Sequence, residues 1–317
     1  MNSNTSAPEP GDALTVGFKI TTRLLLVLVL ALLLKTWCVD TVKVETAQMS
    51  PAILKGDRIL LFRLGYGSSL GGVAGPHANQ VAVFSDPLRP QEYRCLRVVG
   101  LGGDSVEIID GKFVNRSREL KNSYGLDESE ELLPASYSPR DHLAPYRVPH
   151  TGDHFLLDSL TLRDLVFLAL IIRHENPKKQ YYLRPLVYEG GEPVQECDLS
   201  EFTLYKGSID SIPDNLAFDA YFWQRLREYL SRRSEAGELN LTLWLEEDGN
   251  RVAEYRVKQS YIFLLADNWK TGYDSRYFGP VGTTTLRGKA LCVLWSWDDT
   301  TAGPASLRAG RIVKLIR

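Results

Sequence analysis

Cysteine is sparse in this chain of 317 residues: Cys38, Cys95, Cys197 and Cys292 lie far apart, with no CxxC among them. Set beside five scattered histidines, that spacing offers no metal-ligand pattern, and no cofactor or metal is expected. The four thiols do not report the redox compartment and define no disulfide pairing. No lysine- or arginine-rich run is long enough to track a phosphate backbone, and the net charge is only −2, so nucleic acid is not an expected partner. No segment repeats. Beyond the one long apolar stretch there is no Ala-x-Ala-like cleavage site; Lys35-Thr36-Trp37-Cys38-Val39-Asp40 is a poor substitute. A second apolar run, residues 165–172, is too short to span a bilayer.

What is present begins with the long stretch. Residues 1–15 are small, polar and proline-containing, predicting a disordered tail that extends to residue 19. Residues 20–39 are mainly apolar, with an uninterrupted core over 24–34. That core alone would fit a secretory signal, but Lys35 can snorkel and Trp37 suits an interface. A segment of about 20 residues then spans, and an uncleaved transmembrane anchor is favoured over a removed signal. Lys19 and Arg23 put the tail in the cytoplasm, although Lys35 and Lys43 on the other flank pull the opposite way. The expected placement is single-pass in the cytoplasmic (inner) membrane, with the bulk of the chain on the extracytoplasmic side.

Hydrophobic and charged contents of 44% and 24% are ordinary for a globular protein, and the length suffices for a substantial core. Short β-branched and aromatic runs at 58–63, 80–84, 93–99, 105–109 and 112–114 read as strands, with a tight turn at Asp110-Gly111. Residues 65–79 predict an exposed loop, and 117–146, broken by Pro134, Pro139 and Pro145, a surface excursion. Residues 160–175 predict a helix capped by Asp158 or Ser159; it is either buried against a sheet or rests on the bilayer. Residues 217–236 predict an amphipathic helix. A hairpin is expected from 240–246 and 251–257, joined across Glu247-Asp248-Gly249-Asn250, with further strands at 261–265 and 290–297. The resulting fold class is mostly β. The segments 40–116 and 258–317 form a core of coiled antiparallel sheets, and 117–257 forms an inserted α+β cap with two helices and a hairpin.

Three ordered blocks carry chemistry. The first is Thr46-Ala47-Gln48-Met49-Ser50-Pro51-Ala52-Ile53-Leu54-Lys55-Gly56-Asp57. The second is Tyr93-Arg94-Cys95-Leu96-Arg97-Val98-Val99-Gly100-Leu101-Gly102-Gly103-Asp104. The third runs from Ala266-Asp267-Asn268-Trp269 through Gly272-Tyr273-Asp274-Ser275-Arg276 to Gly279-Pro280-Val281. Together they resemble the bacterial type I signal peptidases of the serine–lysine dyad type, which remove signal peptides from exported precursors. Gly288-Lys289-Ala290 and Trp295-Ser296-Trp297-Asp298 resemble that family's closing segment, and Tyr146–His154 resembles a Val-Pro-x-x-Gly-Asp stretch in members with long inserts.

The resemblance implies a role for each position and shows that the chemical ones are replaced. The nucleophile position is Gln48, the general-base position Leu96, and the position of the base's hydrogen-bond partner Gly272. A carboxamide oxygen is a poor nucleophile. The base must be an amine kept neutral by apolar surroundings, and leucine accepts no proton. Arg94 and Arg97 stay protonated, and strand alternation is expected to turn them to the other face. Thr46 matches the hydroxyl of the family's oxyanion hole, with the Gln48 amide as its partner; otherwise it is a strand-end hydroxyl bonding backbone. Asp274 and Arg276 match a structural pair that braces the site floor. Met49 and Pro51 match the wall of a groove that takes substrate as an added strand; otherwise they pack the β core.

The loss of three coupled parts fits abandoned chemistry, because such parts act as a unit. The expectation is a membrane-bound signal peptidase I-like protein, catalytically silent, that binds exported precursors or an active paralogue. One alternative is an active serine endopeptidase with a relocated dyad, built on Ser50 with Lys43, Lys55, Lys270 or His77. Another is a structural envelope protein whose inserted cap is an interaction surface.

Overall fold

The computed structural model describes residues 10–66, 75–127, 129–133, 139–194, 197–233, 239–298 and 306–316. Helix α1 (Pro10–Trp37) starts inside the segment expected as a tail, with proline at its first position, where a missing N–H costs nothing. Residues 1–9 of that tail lie outside the described residues. Leu24, Leu26 and Val27 on α1 are more than half exposed. Among the described residues no helix is long and apolar enough to cross a membrane. The anchor expected over 20–39 includes residues 33, 34, 36 and 37, whose side chains lie outside that set.

Strands follow in quick succession: β1 (Val39–Lys43), β2 (Asp57–Phe62), β3 (Val81–Ser85), β4 (Tyr93–Leu101), β5 (Ser105–Ile109), β6 (Lys112–Asn115), β7 (Leu143–Arg147) and β8 (His154–Leu156). Helix α2 (Leu162–Glu175) leads to β9 (Tyr181–Glu189) and β10 (Glu192–Pro193). Helices α3 (Asp214–Ala217) and α4 (Ala220–Arg233) precede β11 (Asn240–Glu247), β12 (Asn250–Arg251), β13 (Glu254–Arg256) and β14 (Tyr261–Leu265). A short helix α5 (Ser275–Phe278), β15 (Val281–Gly282), β16 (Leu286–Ser296) and β17 (Lys314–Leu315) complete the chain.

Among the described residues the largest sheet is antiparallel, in the order β1, β2, β16, β3, β4, β14, β15, with β17 beside β16. Bulges in β14 and β16 interrupt its register. The hairpin of β5 and β6 pairs with β7 in a second sheet. The core sits where these two sheets meet α2: Phe263 of β14 packs on Phe113 and Tyr146, and Tyr146 meets Phe167 of α2 edge-on at 5.3 Å. Residues 165–172 are all buried, so α2 is an interior helix and does not lie on a bilayer. Its cap is Thr161, which accepts the Asp164 N–H at 3.2 Å; the sequence offers Asp158 and Ser159 as well, but those residues sit in a tight turn of their own.

Three expectations change. The amphipathic helix expected over 217–236 is α4 and starts later, at Ala220, because Asp219 accepts the Tyr221 N–H at 2.8 Å and opens the helix there, after the short α3 that ends at Ala217; residues 234–238 lie outside the described set. The hairpin partner 251–257 divides: β12 pairs with the end of β11, whereas β13 leaves to pair with β8. The long partner of β11 is instead β9, which pairs along its whole length from Tyr181 to Tyr188. Strand β7 occupies the end of the expected excursion over 117–146, of which residues 128 and 134–138 lie outside the described set. Of the loop expected over 65–79, residues 67–74 lie outside it as well.

Candidate active site

The loop between β1 and β2 is closed by its own backbone. Val44 N–H donates to Asp57 O at 2.8 Å, and Gly56 N–H to Val44 O at 2.9 Å. Gly56 holds φ at +90°, and a Cβ there would run into the Trp297 carbonyl, so the motif needs glycine at this point. Asp57 is fully buried, accepts the Leu54 N–H at 2.8 Å and binds Arg311 at 3.0 and 2.5 Å. Arg311 also donates to Ala52 O at 2.9 Å, so the end of the chain pins the loop.

This loop docks on the turn after β14. Asn268 N–H donates to Gln48 O at 2.9 Å, and Gly272 N–H donates to Asn268 O at 2.9 Å. On the neighbouring strand β4, Arg97 lies opposite Leu265, the residue before Ala266, and Leu96 is the residue before Arg97. Leu96 is fully buried, with Ala82 of β3 on its other side. The fold therefore brings positions 48, 96 and 272 to one locality, where they present a half-buried amide, a hydrocarbon and no side chain.

The floor beneath is charged but internally satisfied. Arg276 donates to both oxygens of Asp274 at 2.8 Å, and both side chains are fully buried. Asp274 Oδ2 also accepts the Ala266 N–H at 2.9 Å, and Arg276 lies 4.3 Å from the Trp269 ring centre. Burial disfavours the Arg276 charge, but the Asp274 carboxylate outweighs it and holds the pKa above its ordinary value. A second buried pair went unrecognised in the sequence: Arg97 grips Asp267 at 2.7 and 2.6 Å and donates to Asn79 O at 2.8 Å. Arg94 corrects the expectation that both arginines leave the Leu96 face. It stands two residues before Leu96 and so shares that face, pairing with Asp86 and donating to Tyr273 O at 3.0 Å.

Thr46 is exposed and Gln48 half-buried; among the described residues neither the Thr46 hydroxyl nor the Gln48 N–H donates to the protein. Met49 packs in the core at 1% exposure. Pro51 is exposed and borders an open crevice of about 440 Å³ with Ala52, Tyr124, Asp267 and Trp269. Ser50 is half-buried, and among the described residues no lysine or histidine hydrogen-bonds it; Lys270 is exposed and ion-paired to Glu130 at 2.5 Å. All four cysteines are free thiols, and among the described residues no acidic, histidine or cysteine cluster suits a metal.

Residues 18–162 and 191–295 match the family described as signal peptidase, peptidase S26. The chain belongs to that family. Signal peptidase I of Aquifex aeolicus is 23% identical over 278 residues, covering 86% of this chain and 82% of its own. Signal peptidase I of Buchnera aphidicola is 18% identical over 288 residues, covering 88% of this chain and 76% of its own. A solved signal peptidase I from Enterococcus faecalis is 15% identical and covers 69% of this chain and 98% of its own, with a TM-score of 0.23. On the roles that the signal peptidase resemblance implies, the nucleophile, base and base-partner positions carry Gln48, Leu96 and Gly272, with the Thr46 hydroxyl and the Gln48 N–H unbonded among the described residues. Such an arrangement can bind and polarise a carbonyl.

Proposed function

We propose that this chain is a membrane-anchored, signal peptidase I-like protein that has lost peptide-bond cleavage and retains peptide binding. The observation that carries the reading is the full burial of Leu96, opposite Ala82, at the position where the resemblance calls for an amine. Gln48 and Gly272 add a missing nucleophile and a missing hydroxyl. Free donors at Thr46 and Gln48 are worth roughly 10³–10⁴ over the uncatalysed reaction when binding is included, far below what turnover of exported proteins needs. The active alternative requires Ser50 to have a base, and among the described residues no lysine or histidine hydrogen-bonds it.

The exposed leucines of α1 support an anchor over 20–39, with Lys19 and Arg23 toward the cytoplasm. The bound partner proposed is the extended segment of an exported precursor, laid along the crevice edge at Pro51. The test uses the full chain in lipid vesicles and a fluorescent precursor peptide bearing its signal segment. Saturable anisotropy with the peptide recovered intact is the expected result. Absence of binding sinks the precursor reading and leaves capture of an active paralogue; a shortened peptide sinks the silent one.

A further inference from the structure

Gly272 does not need to be glycine on conformational grounds. Its φ lies outside the left-handed region, so the backbone there suits any residue. Space is what excludes a side chain. A Cβ built at this position would overlap the methyl of Ala266, stand 2.8 Å from Asn268 O and reach 3.4 Å from Asp274 Oδ2. None of these atoms is placed to retreat. Ala266 is 2% exposed, with its N–H held by Asp274 Oδ2 at 2.9 Å. Asn268 is bonded through its carbonyl to Gly272 and through its N–H to Gln48. Asp274 is fixed by Arg276 from both oxygens.

We infer that the Ala266 methyl fills most of the volume a side chain at position 272 would require. With that methyl removed, the close contact left for a Cβ at 272 is Asn268 O at 2.8 Å, so the relief is partial. This chain has alanine at 266 and glycine at 272. Restoring Gly272→Ser without touching Ala266 therefore overpacks the floor. This packing assignment stands alone; its bearing on cleavage rests on the silent-peptidase reading.

The test is a stability cycle on the full chain in detergent, read by tryptophan fluorescence on heating. Gly272→Ala is expected to lower the midpoint by roughly 3–8 °C. Adding Ala266→Gly is expected to recover at least half of that loss, although Ala266→Gly alone lowers the midpoint by emptying a methyl site. An unchanged midpoint for Gly272→Ala, or additive losses in the double variant, overturns the assignment. If Gly272→Ala yields too little folded protein to melt, protease-resistant yield replaces the midpoint: rescue by Ala266→Gly supports the assignment and no rescue refutes it. Cleavage of a precursor by Gln48→Ser, Leu96→Lys, Gly272→Ser, with and without Ala266→Gly, reads the other claim. No cleavage beside an intact stability cycle counts against the silent-peptidase reading alone.

Discussion

At the scale of single residues, burial decides which charges matter. Arg276 and Asp274 are fully buried, so Arg276→Met strands a carboxylate without its partner; we expect a loss of about 3–5 kcal/mol in chemical denaturation. Replacing both, as in Arg276→Met with Asp274→Leu, is expected to cost clearly less. The exposed Arg89–Glu92 pair, at 64% and 56% side-chain exposure, sets the contrast, and Arg89→Ala should fall within about 0.5 kcal/mol of wild type. A loss as small at Arg276 would mean that the floor is solvated after all. The three motif blocks made Gln48, Leu96, Gly272, Asp274 and Arg276 legible because each sits in a short, ordered frame. Arg97 with Asp267, and Arg311 with Asp57, were not legible. Their partners lie 170 and 254 residues apart in sequence, and no local pattern joins them. Ala266 was not legible for another reason: the space its methyl takes from position 272 depends on how the turn between them folds, which no local pattern reports.

At the scale of elements, the strands with clean runs, such as β5 and β14, were legible nearly to the residue. Strand β9 was not, because Pro185 and Arg184 interrupt its apolar run; it lies near the edge of its sheet, where proline is tolerated. The break between α3 and α4 hid behind continuous aromatic periodicity. Asp219 makes that break and also accepts the Tyr273 hydroxyl at 2.9 Å, tying the inserted helix to the segment beside Gly272. Burial raises the Asp219 pKa above its ordinary 3.8. A carboxyl raised in the folded state binds its proton more tightly there than in the unfolded chain. Its contribution is therefore fully present below the unfolded value and is lost as pH rises through the folded one. Relative to Asp219→Asn, which retains a carbonyl oxygen for Tyr273, wild type should lose stability as pH rises from about 3 toward neutrality. Denaturation midpoints of the two proteins across that range measure it, and a difference independent of pH would contradict the assignment.

At the scale of the whole molecule, the inserted segment and the sheet core are one packed body. Phe167 of α2 lies against Gly279, where a Cβ would come within 2.7 Å of its ring. Glu175, at the end of the same helix, accepts the Tyr255 and Tyr261 hydroxyls at 2.8 and 2.9 Å, joining the insertion to β14. The insertion is thus held to the sheet core by these contacts, and the proposed reading is that the family scaffold persists around positions that cannot trade protons. The most direct measurement of that claim is mass spectrometry of a signal-bearing precursor incubated with the full, unaltered chain. The account predicts that only intact precursor is recovered, with no product at the signal junction above the buffer control. A junction product that disappears on Ser50→Ala would contradict it.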